Sequence, residues 1–261
     1  MFPTGSTKVF PVIGQPIDQV RSPQVMTELF AAKNANAIVI PLEVTDDHLA
    51  QTYEVLHASP SIGGILVTVP HKQRSFKLCE AVTDRASFLG AVNVVRRTVR
   101  GWYGDNTDGV GYLNALEHEG FSVAGRKVLL VGCGGAGSAI ALELLARGAA
   151  LLAIHDIDQD RRNRLIDVLN TTYPGKIAPG STDPTGYDLV ANATPMGMRA
   201  EDQFPVEVGK LDSGQFVACV VTKPAVPALI QEARRRGCGT MTGTQMFDAQ
   251  AENIAEFLLS T

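Results

Sequence analysis

Cysteine is scarce and scattered. The four residues, Cys79, Cys133, Cys219 and Cys238, form no C-x-x-C pair. That spacing argues against a disulfide framework and against a cysteine-built zinc cluster, so no metal site is expected and a reducing cytoplasm is the expected compartment. Long apolar runs are missing too: none approaches the ~20 residues that a membrane helix needs. The opening stretch MFPTGSTKVFPVIG lacks the charged-then-apolar pattern of a secretory signal. Positive charge is sparse, with a net charge of −4 and no long basic run, so a nucleic-acid partner is not expected. The densest basic stretches, Arg161-Arg162-x-Arg164 and Arg234-Arg235-Arg236, read as solvated helix faces.

What is present is a globular composition, 45% apolar and 19% charged over 261 residues, enough for one large domain or two modest ones. Apolar β-rich stretches alternate with helical patterns along the chain, which predicts α/β layers. Strands are predicted at Val9–Ile13, Ala37–Leu42, Gly64–Thr68, Val92–Val99 and Arg100–Tyr103. Helices are predicted at Pro23–Lys33, with Ser22 as N-cap, and at Asp46–His57. After a helix over Thr107–Glu119 the pattern restarts with strand Lys127–Val131, helix Gly135–Arg147 and strand Leu151–Asp156. Further strands fall at Leu189–Ala193 and Phe216–Val221. A helix over Ala225–Arg236 stops at Gly237, and a last helix covers Thr244–Leu259. The restart near residue 120 divides the chain into two α/β halves.

The second half opens with the strongest single motif. Gly132-Cys133-Gly134-Gly135-Ala136-Gly137 fits G-x-G-x-x-G, with an apolar strand before it and a helix after it. In that context each glycine has a separate task. Gly132 permits the tight turn, Gly134 lets backbone approach a pyrophosphate, and Gly137 lets helix and strand pack closely. Free N–H groups and the helix dipole then hold phosphate. A Rossmann-type doubly wound parallel sheet binding NAD or NADP follows. The next strand ends in Asp156, where an acidic residue accepts from ribose hydroxyls. Like charges about 4 Å apart at an effective dielectric of about 20 repel by about 4 kcal/mol, so Asp156 favours NAD over NADP. Arg161 and Arg162 lie near enough in sequence to weaken that preference.

The dinucleotide half does not name a reaction. An alcohol dehydrogenase also needs a group that handles the hydroxyl proton. His48, His57 and His118 fall in helical stretches and read as surface residues. His71-Lys72, after a strand and Pro70, and the polar turn Asp105-Asn106-Thr107-Asp108-Gly109 at the junction of the halves are better placed, since ligands collect in clefts between domains.

With these segments in register the chain resembles the shikimate dehydrogenase family, including its quinate/shikimate branch, over essentially its whole length. The resemblance is carried by Val12-Ile13-Gly14-Gln15-Pro16-Ile17 with Arg21-Ser22-Pro23, by Val67-Thr68-Val69-Pro70-His71-Lys72 and by Gly90-Ala91-Val92-Asn93. Gly104-Asp105-Asn106-Thr107-Asp108-Gly109, Asn192-Ala193-Thr194-Pro195-Met196-Gly197-Met198 and Gly243-Thr244-x-Met246…Gln250 continue it. The tract His155-Asp156-Ile157-Asp158-Gln159-Asp160-Arg161 looks more like the NAD-using quinate/shikimate branch, because the NADP-using one carries Asn-Arg-Thr there.

The resemblance implies roles. Lys72 and Asp108 form the catalytic pair, and Ser22, Thr68, Asn93, Thr222 and Gln250 hold substrate. Gly132, Gly134, Gly135, Ala136, Gly137, Asp156, Thr194, Met196 and Gly243 hold the cofactor. It also implies a substrate domain of residues 1–107 and 244–261, completed by the returning last helix, and a Rossmann domain of residues 108–243. The implied reaction is reversible, NAD(P)-dependent oxidation of a ring hydroxyl of shikimate, quinate or a related ring acid. The implied partner is the small-molecule substrate alone, with no membrane and a monomer or homodimer.

The chain departs from the family at three substrate positions. Val20 stands where the family has the first serine of Ser-x-Ser-Pro, Leu66 where it has an asparagine, and Cys219-Val220-Val221-Thr222 where it has Asp-x-x-Tyr. Losing two hydrogen bonds to a carboxylate costs about 3–6 kcal/mol, at about 1.5–3 kcal/mol each. A different small hydroxylated acid as substrate, a folate-type dehydrogenase, and a noncatalytic NAD-binding regulator of the same fold are the alternatives.

Overall fold

The computed structural model describes residues 2–18 and 20–260. It divides into two compact units, Met1–Thr107 with Ala251–Thr261 and Asp108–Gln250.

In the first unit the order is β1 (Lys8–Gly14), α1 (Ser22–Ala32), β2 (Ala37–Glu43), α2 (Leu49–Ala58), β3 (Gly64–Val67), α3 (Lys72–Phe76), β4 (Ala81–Val82), α4 (Asp84–Leu89), β5 (Val94–Thr98) and β6 (Gly101–Asp105). The sheet runs β2-β1-β3-β5-β6-β4. β1 pairs in parallel with β2 and β3, while β5 runs antiparallel to β3 and β6. One face of the sheet is covered by Met26 and Phe30 of α1 together with Ala251, Ile254, Ala255 and Leu258 near the chain end. The other, which carries Trp102 of β6, is covered by Leu49 and Tyr53 of α2. Buried apolar rows on both faces are what a sheet clad by helices requires.

The second unit continues with α5 (Asp108–His118), β7 (Lys127–Val131), α6 (Gly135–Ala146), β8 (Leu151–His155), α7 (Gln159–Asn170), β9 (Ile177–Pro179), β10 (Leu189–Asn192), β11 (Phe216–Cys219), α8 (Ala228–Arg235) and β12 (Gly239–Met241). α9 (Gly243–Leu259) follows and crosses the division between the units. All strands here pair in parallel, in the order β12-β11-β10-β7-β8-β9. That is the doubly wound arrangement expected from the glycine turn, with the order reversing at β7.

Several local expectations change. Ser22 does not cap α1: it is the first helical residue and 5% exposed, Arg21 takes the cap position, and no side chain caps the end, although Pro23 does sit in the first turn. Asp46–His48 forms a 3-10 turn before α2. α8 starts at Ala228 because Pro227 is extended, and it closes through left-handed Gly237. His57 is not a free surface residue, since its ring lies edge-on to Trp102 at 5.3 Å. The last helix changes unit at Gln250 rather than at its start. Its first turns are held in the second unit, where a Cβ on Gly111 would sit 2.5 Å from that of Gln250.

Candidate active site

In the first unit the site residues hang from the carboxyl end of β3. Gly14 has no side chain because a Cβ there would meet Thr68 Cγ2 at 2.4 Å, so the loops after β1 and β3 close on each other. The Gln15 N–H donates to the Val69 carbonyl at 3.0 Å. Lys72 opens α3, half-buried, and its carbonyl accepts from the Val92 N–H at 3.0 Å. The preceding His71 is fully buried, and its Nε2–H donates to the Val44 carbonyl at 2.6 Å, pinning the start of α3 to the segment after β2.

Asn93, 5% exposed, exchanges two bonds with Thr107: Nδ2 donates to Thr107 Oγ1 at 3.1 Å, and Oδ1 accepts from the Thr107 N–H at 3.0 Å. Asp105 fixes the same turn from behind. Its carboxylate, 2% exposed, accepts from Thr83 Oγ1 at 2.6 Å, Arg85 Nε at 2.8 Å and the Asn106 N–H at 2.7 Å. A buried charge needs such partners. Thr68 is half-buried and Ser22 buried. Val20 packs against the apolar cluster of α1, and Leu66 is 3% exposed.

In the second unit Asp108 is the first residue of α5 and 5% exposed, and its Oδ1 accepts from Gln250 Nε2 at 2.9 Å. Gln250, read from sequence as a substrate contact, therefore also holds the aspartate. Next to Asp108, a Cβ on Gly109 would lie 2.3 Å from the Ala139 carbonyl oxygen, so only glycine lets α5 approach α6 this closely.

The glycine turn has the geometry its sequence implies. Gly132 has φ +102°, and a Cβ on Gly137 would fall 2.0 Å from the Gly132 carbonyl oxygen. Around Gly134 and Gly135, at the N-terminus of α6, a Cβ would meet nothing within 4 Å. This open backbone cradle on a 12-residue helix fits a pyrophosphate. Asp156 closes the turn from the β8 side. Its carboxylate accepts from the Cys133 N–H at 2.6 Å, the Asp158 N–H at 2.9 Å and Arg161 Nη2 at 2.7 Å. Burial pushes the Asp156 carboxyl up, but Arg161 and the two backbone donors outweigh it and hold it below its ordinary value. Thr194 and Met196 are half-buried in the loop after β10, and Gly243 starts α9 where a Cβ would strike the Val220 and Val221 carbonyls at 2.4 and 2.5 Å.

Sequence reasoning gave no role to Asn192, Asp105 or Arg85, and it placed Arg161 and Arg162 near Asp156 without singling out the Arg161–Asp156 ion pair. Arg161 alone had a local signal, five positions beyond Asp156.

A model of the shikimate dehydrogenase substrate-binding domain matches residues 12–95. The shikimate dehydrogenase (NADP(+)) of Rubrobacter xylanophilus is 34% identical over 248 residues, 93% of this chain and 87% of that protein. That of Alkaliphilus oremlandii is 31% identical over 95% of this chain and 90% of its own length. The chain belongs to the shikimate dehydrogenase family. It is an NAD(P)-dependent oxidoreductase acting on a hydroxyl group. Among solved structures, shikimate 5-dehydrogenase from Listeria monocytogenes, in complex with shikimate and NAD, superposes with a TM-score of 0.89 at 26% identity, covering 98% of this chain and 93% of that one. Quinate dehydrogenase from Corynebacterium glutamicum with NAD gives 0.87 at 28% identity, covering 97% and 94%. The 5-ketofructose reductase of Gluconobacter sp. strain CHM43 gives 0.87 at 28%, covering 97% and 93%.

Proposed function

We propose that this protein reversibly oxidises a ring hydroxyl of shikimate, quinate or a related ring acid, with Lys72 and Asp108 acting together on the hydroxyl proton. The observation that carries this reading is the buried Asp108 carboxylate, presented at the first residue of α5 and held by Gln250. Bound nicotinamide supplies the hydride acceptor in one direction and the donor in the other. Asp108 accepts a hydrogen bond from the reacting hydroxyl and orients it. The Lys72 ammonium stabilises the developing alkoxide, and the hydroxyl proton passes to the Asp108 carboxylate in oxidation and returns from it in reduction, a task worth about 10²–10⁴ in rate for a positioned acid–base group. Asn93 and Thr68 hold neighbouring hydroxyls of the ring.

NAD is the preferred cofactor in this reading, because Asp156 occupies the ribose end of β8. Arg161 pairs with that carboxylate and is itself half-exposed, so NADP is admitted rather than excluded. The names of the curated relatives, which specify NADP(+), point the same way.

A second reading changes the substrate and keeps the chemistry. Val20 and Leu66 offer no hydrogen bond to a carboxylate, which favours a polyhydroxylated ketone lacking one. The likeness to a 5-ketofructose reductase is consistent with that.

The experiment mixes the protein with NAD or NADP and shikimate, quinate and related ring acids, and with NADH or NADPH and sugar ketones, following nicotinamide absorbance. Turnover of a ring acid with NAD supports the first reading. Turnover confined to sugar ketones replaces it by the second, and tighter binding of NADP than NAD removes the cofactor preference.

A further inference from the structure

Asn192 ends β10 with 1% of its surface exposed, and both ends of its side-chain amide are engaged by the loop that follows and by the next strand. Oδ1 accepts from the Thr194 N–H at 3.0 Å and from Thr194 Oγ1 at 2.6 Å. Nδ2 donates to the Met196 carbonyl at 3.3 Å and to Cys219 Sγ at 3.2 Å. Thr194 Oγ1 in turn accepts from the Met196 N–H at 3.1 Å. The conformation of residues 193–196 is thus tied to one buried amide, and that amide is tied to the end of β11.

This loop borders the glycine turn. A Cβ on Gly132 would lie 2.8 Å from Thr194 Cγ2 and 3.0 Å from the Ala193 carbonyl carbon. The turn therefore has Asp156 of the β8 side at one flank and the Asn192 loop of the β10 side at the other. A dinucleotide lying across the carboxyl ends of these strands, with its pyrophosphate at the N-terminus of α6, directs its adenosine half to β8 and its other half to β10. We propose that Asn192, anchored on Cys219, is a positioning residue for the nicotinamide half of the cofactor. The inference rests on the dinucleotide reading given above.

The residue type is demanded by the network. Two donors and an acceptor with two lone pairs must branch from one short side chain, which an amide supplies. Aspartate lacks the donors for Met196 and Cys219, and an alkyl side chain would leave buried donors and acceptors orphaned. Burial pushes the Cys219 thiol up, so the sulfur meets the amide as a neutral acceptor.

The test compares two ligands by isothermal titration calorimetry. NADH carries the nicotinamide, and ADP-ribose ends before it. Asn192→Ala is expected to weaken NADH by about tenfold or more, as the loss of one to two buried hydrogen bonds implies, while ADP-ribose stays within about twofold. Cys219→Ala should weaken NADH in the same direction by less, and Cys219→Ser, which keeps an acceptor, should restore it. A merely structural role would move both ligands together, and that outcome, or no change in either, overturns the inference. If Asn192→Ala does not fold, the Cys219 pair and Asn192→Ser make the same comparison. Should the unmodified protein bind neither ligand, the dinucleotide reading itself fails, a result distinct from equal loss of both.

Discussion

Gln250 Nε2 donates a 2.9 Å hydrogen bond to Asp108 Oδ1, joining residues 142 positions apart, both almost wholly buried. Asp108 begins a helix, where the exposed N–H groups and the dipole favour a negative charge, and the amide adds a side-chain donor. Asp108 is thereby held in one orientation before any substrate arrives. Gln250→Leu should lower kcat more than it raises KM, by an amount up to the about 1.5–3 kcal/mol of a hydrogen bond to a charged group, or roughly 10–10² in rate. Steady-state kinetics on the turned-over substrate check this. A rise in KM with unchanged kcat would instead make Gln250 a plain substrate contact.

Lys72 and Asp108 are proposed to act on one proton, so their losses should not add. Lys72→Ala and Asp108→Asn are each expected to cut turnover by about 10²–10⁴. The double variant should fall little further, because residues acting as a unit are non-additive. Additive losses would assign the two residues to separate steps, and near-normal turnover in Lys72→Ala would remove it from the chemistry.

The sequence showed the doubly wound half clearly, because glycine has few substitutes where backbone must turn at φ +102° or where a Cβ would meet a carbonyl at 2.0 Å. It showed the longer strands of both sheets for a similar reason, since their buried apolar runs have one stable use, but not the short edge strands β4, β9 and β12, whose two or three residues carry no such run. The side-chain partners were less legible. Asp105 reads as one more polar turn residue until folding brings Thr83 and Arg85 to it. Asn192 stands inside a recognised segment, but its bond to Cys219 spans 27 positions and leaves no local pattern. Ser22 illustrates the opposite error. Serine before proline suits a helix cap, yet the helix begins one residue earlier and takes the buried serine as its first residue.

Asp156 supports a pH prediction. Its folded pKa is lowered, so its contribution to stability is fully present above the unfolded value of about 3.9 and is lost as pH falls through the lower folded value. Asp156→Asn should destabilise the protein at pH 7 by about 1.5–3 kcal/mol, the range for hydrogen bonds to a charged partner. The gap from the unmodified protein should narrow steadily below about pH 4. Urea unfolding at neutral and acidic pH measures it. A gap of the same size at both ends would mean that the charge of Asp156 does not stabilise the turn.

The last prediction concerns Val20, whose side chain packs on the apolar cluster of α1 and carries no hydrogen-bond donor, as a contact for the substrate carboxylate. A carboxylate set against it loses water without gaining a partner, which is costly. Shikimate should therefore show a Michaelis constant above about 1 mM, the upper end of the usual range. Val20→Ser introduces a hydroxyl and Thr222→Tyr a phenol, and each should lower that constant by a factor equivalent to at most about 1.5–3 kcal/mol. The carboxylate takes no part in bond breaking, so the gain should appear in KM and leave kcat nearly fixed. Sugar ketones, which carry no carboxylate, should show no such gain, and that contrast separates a rebuilt carboxylate site from a general tightening. Micromolar binding of shikimate to the unmodified protein would show that other residues hold the carboxylate, with Ser22, Thr222 and Lys223 the first to replace. An inert double variant would mean that Val20 and Thr222 do not face the substrate carboxylate at all, and the case for a ring acid over a polyol would weaken accordingly.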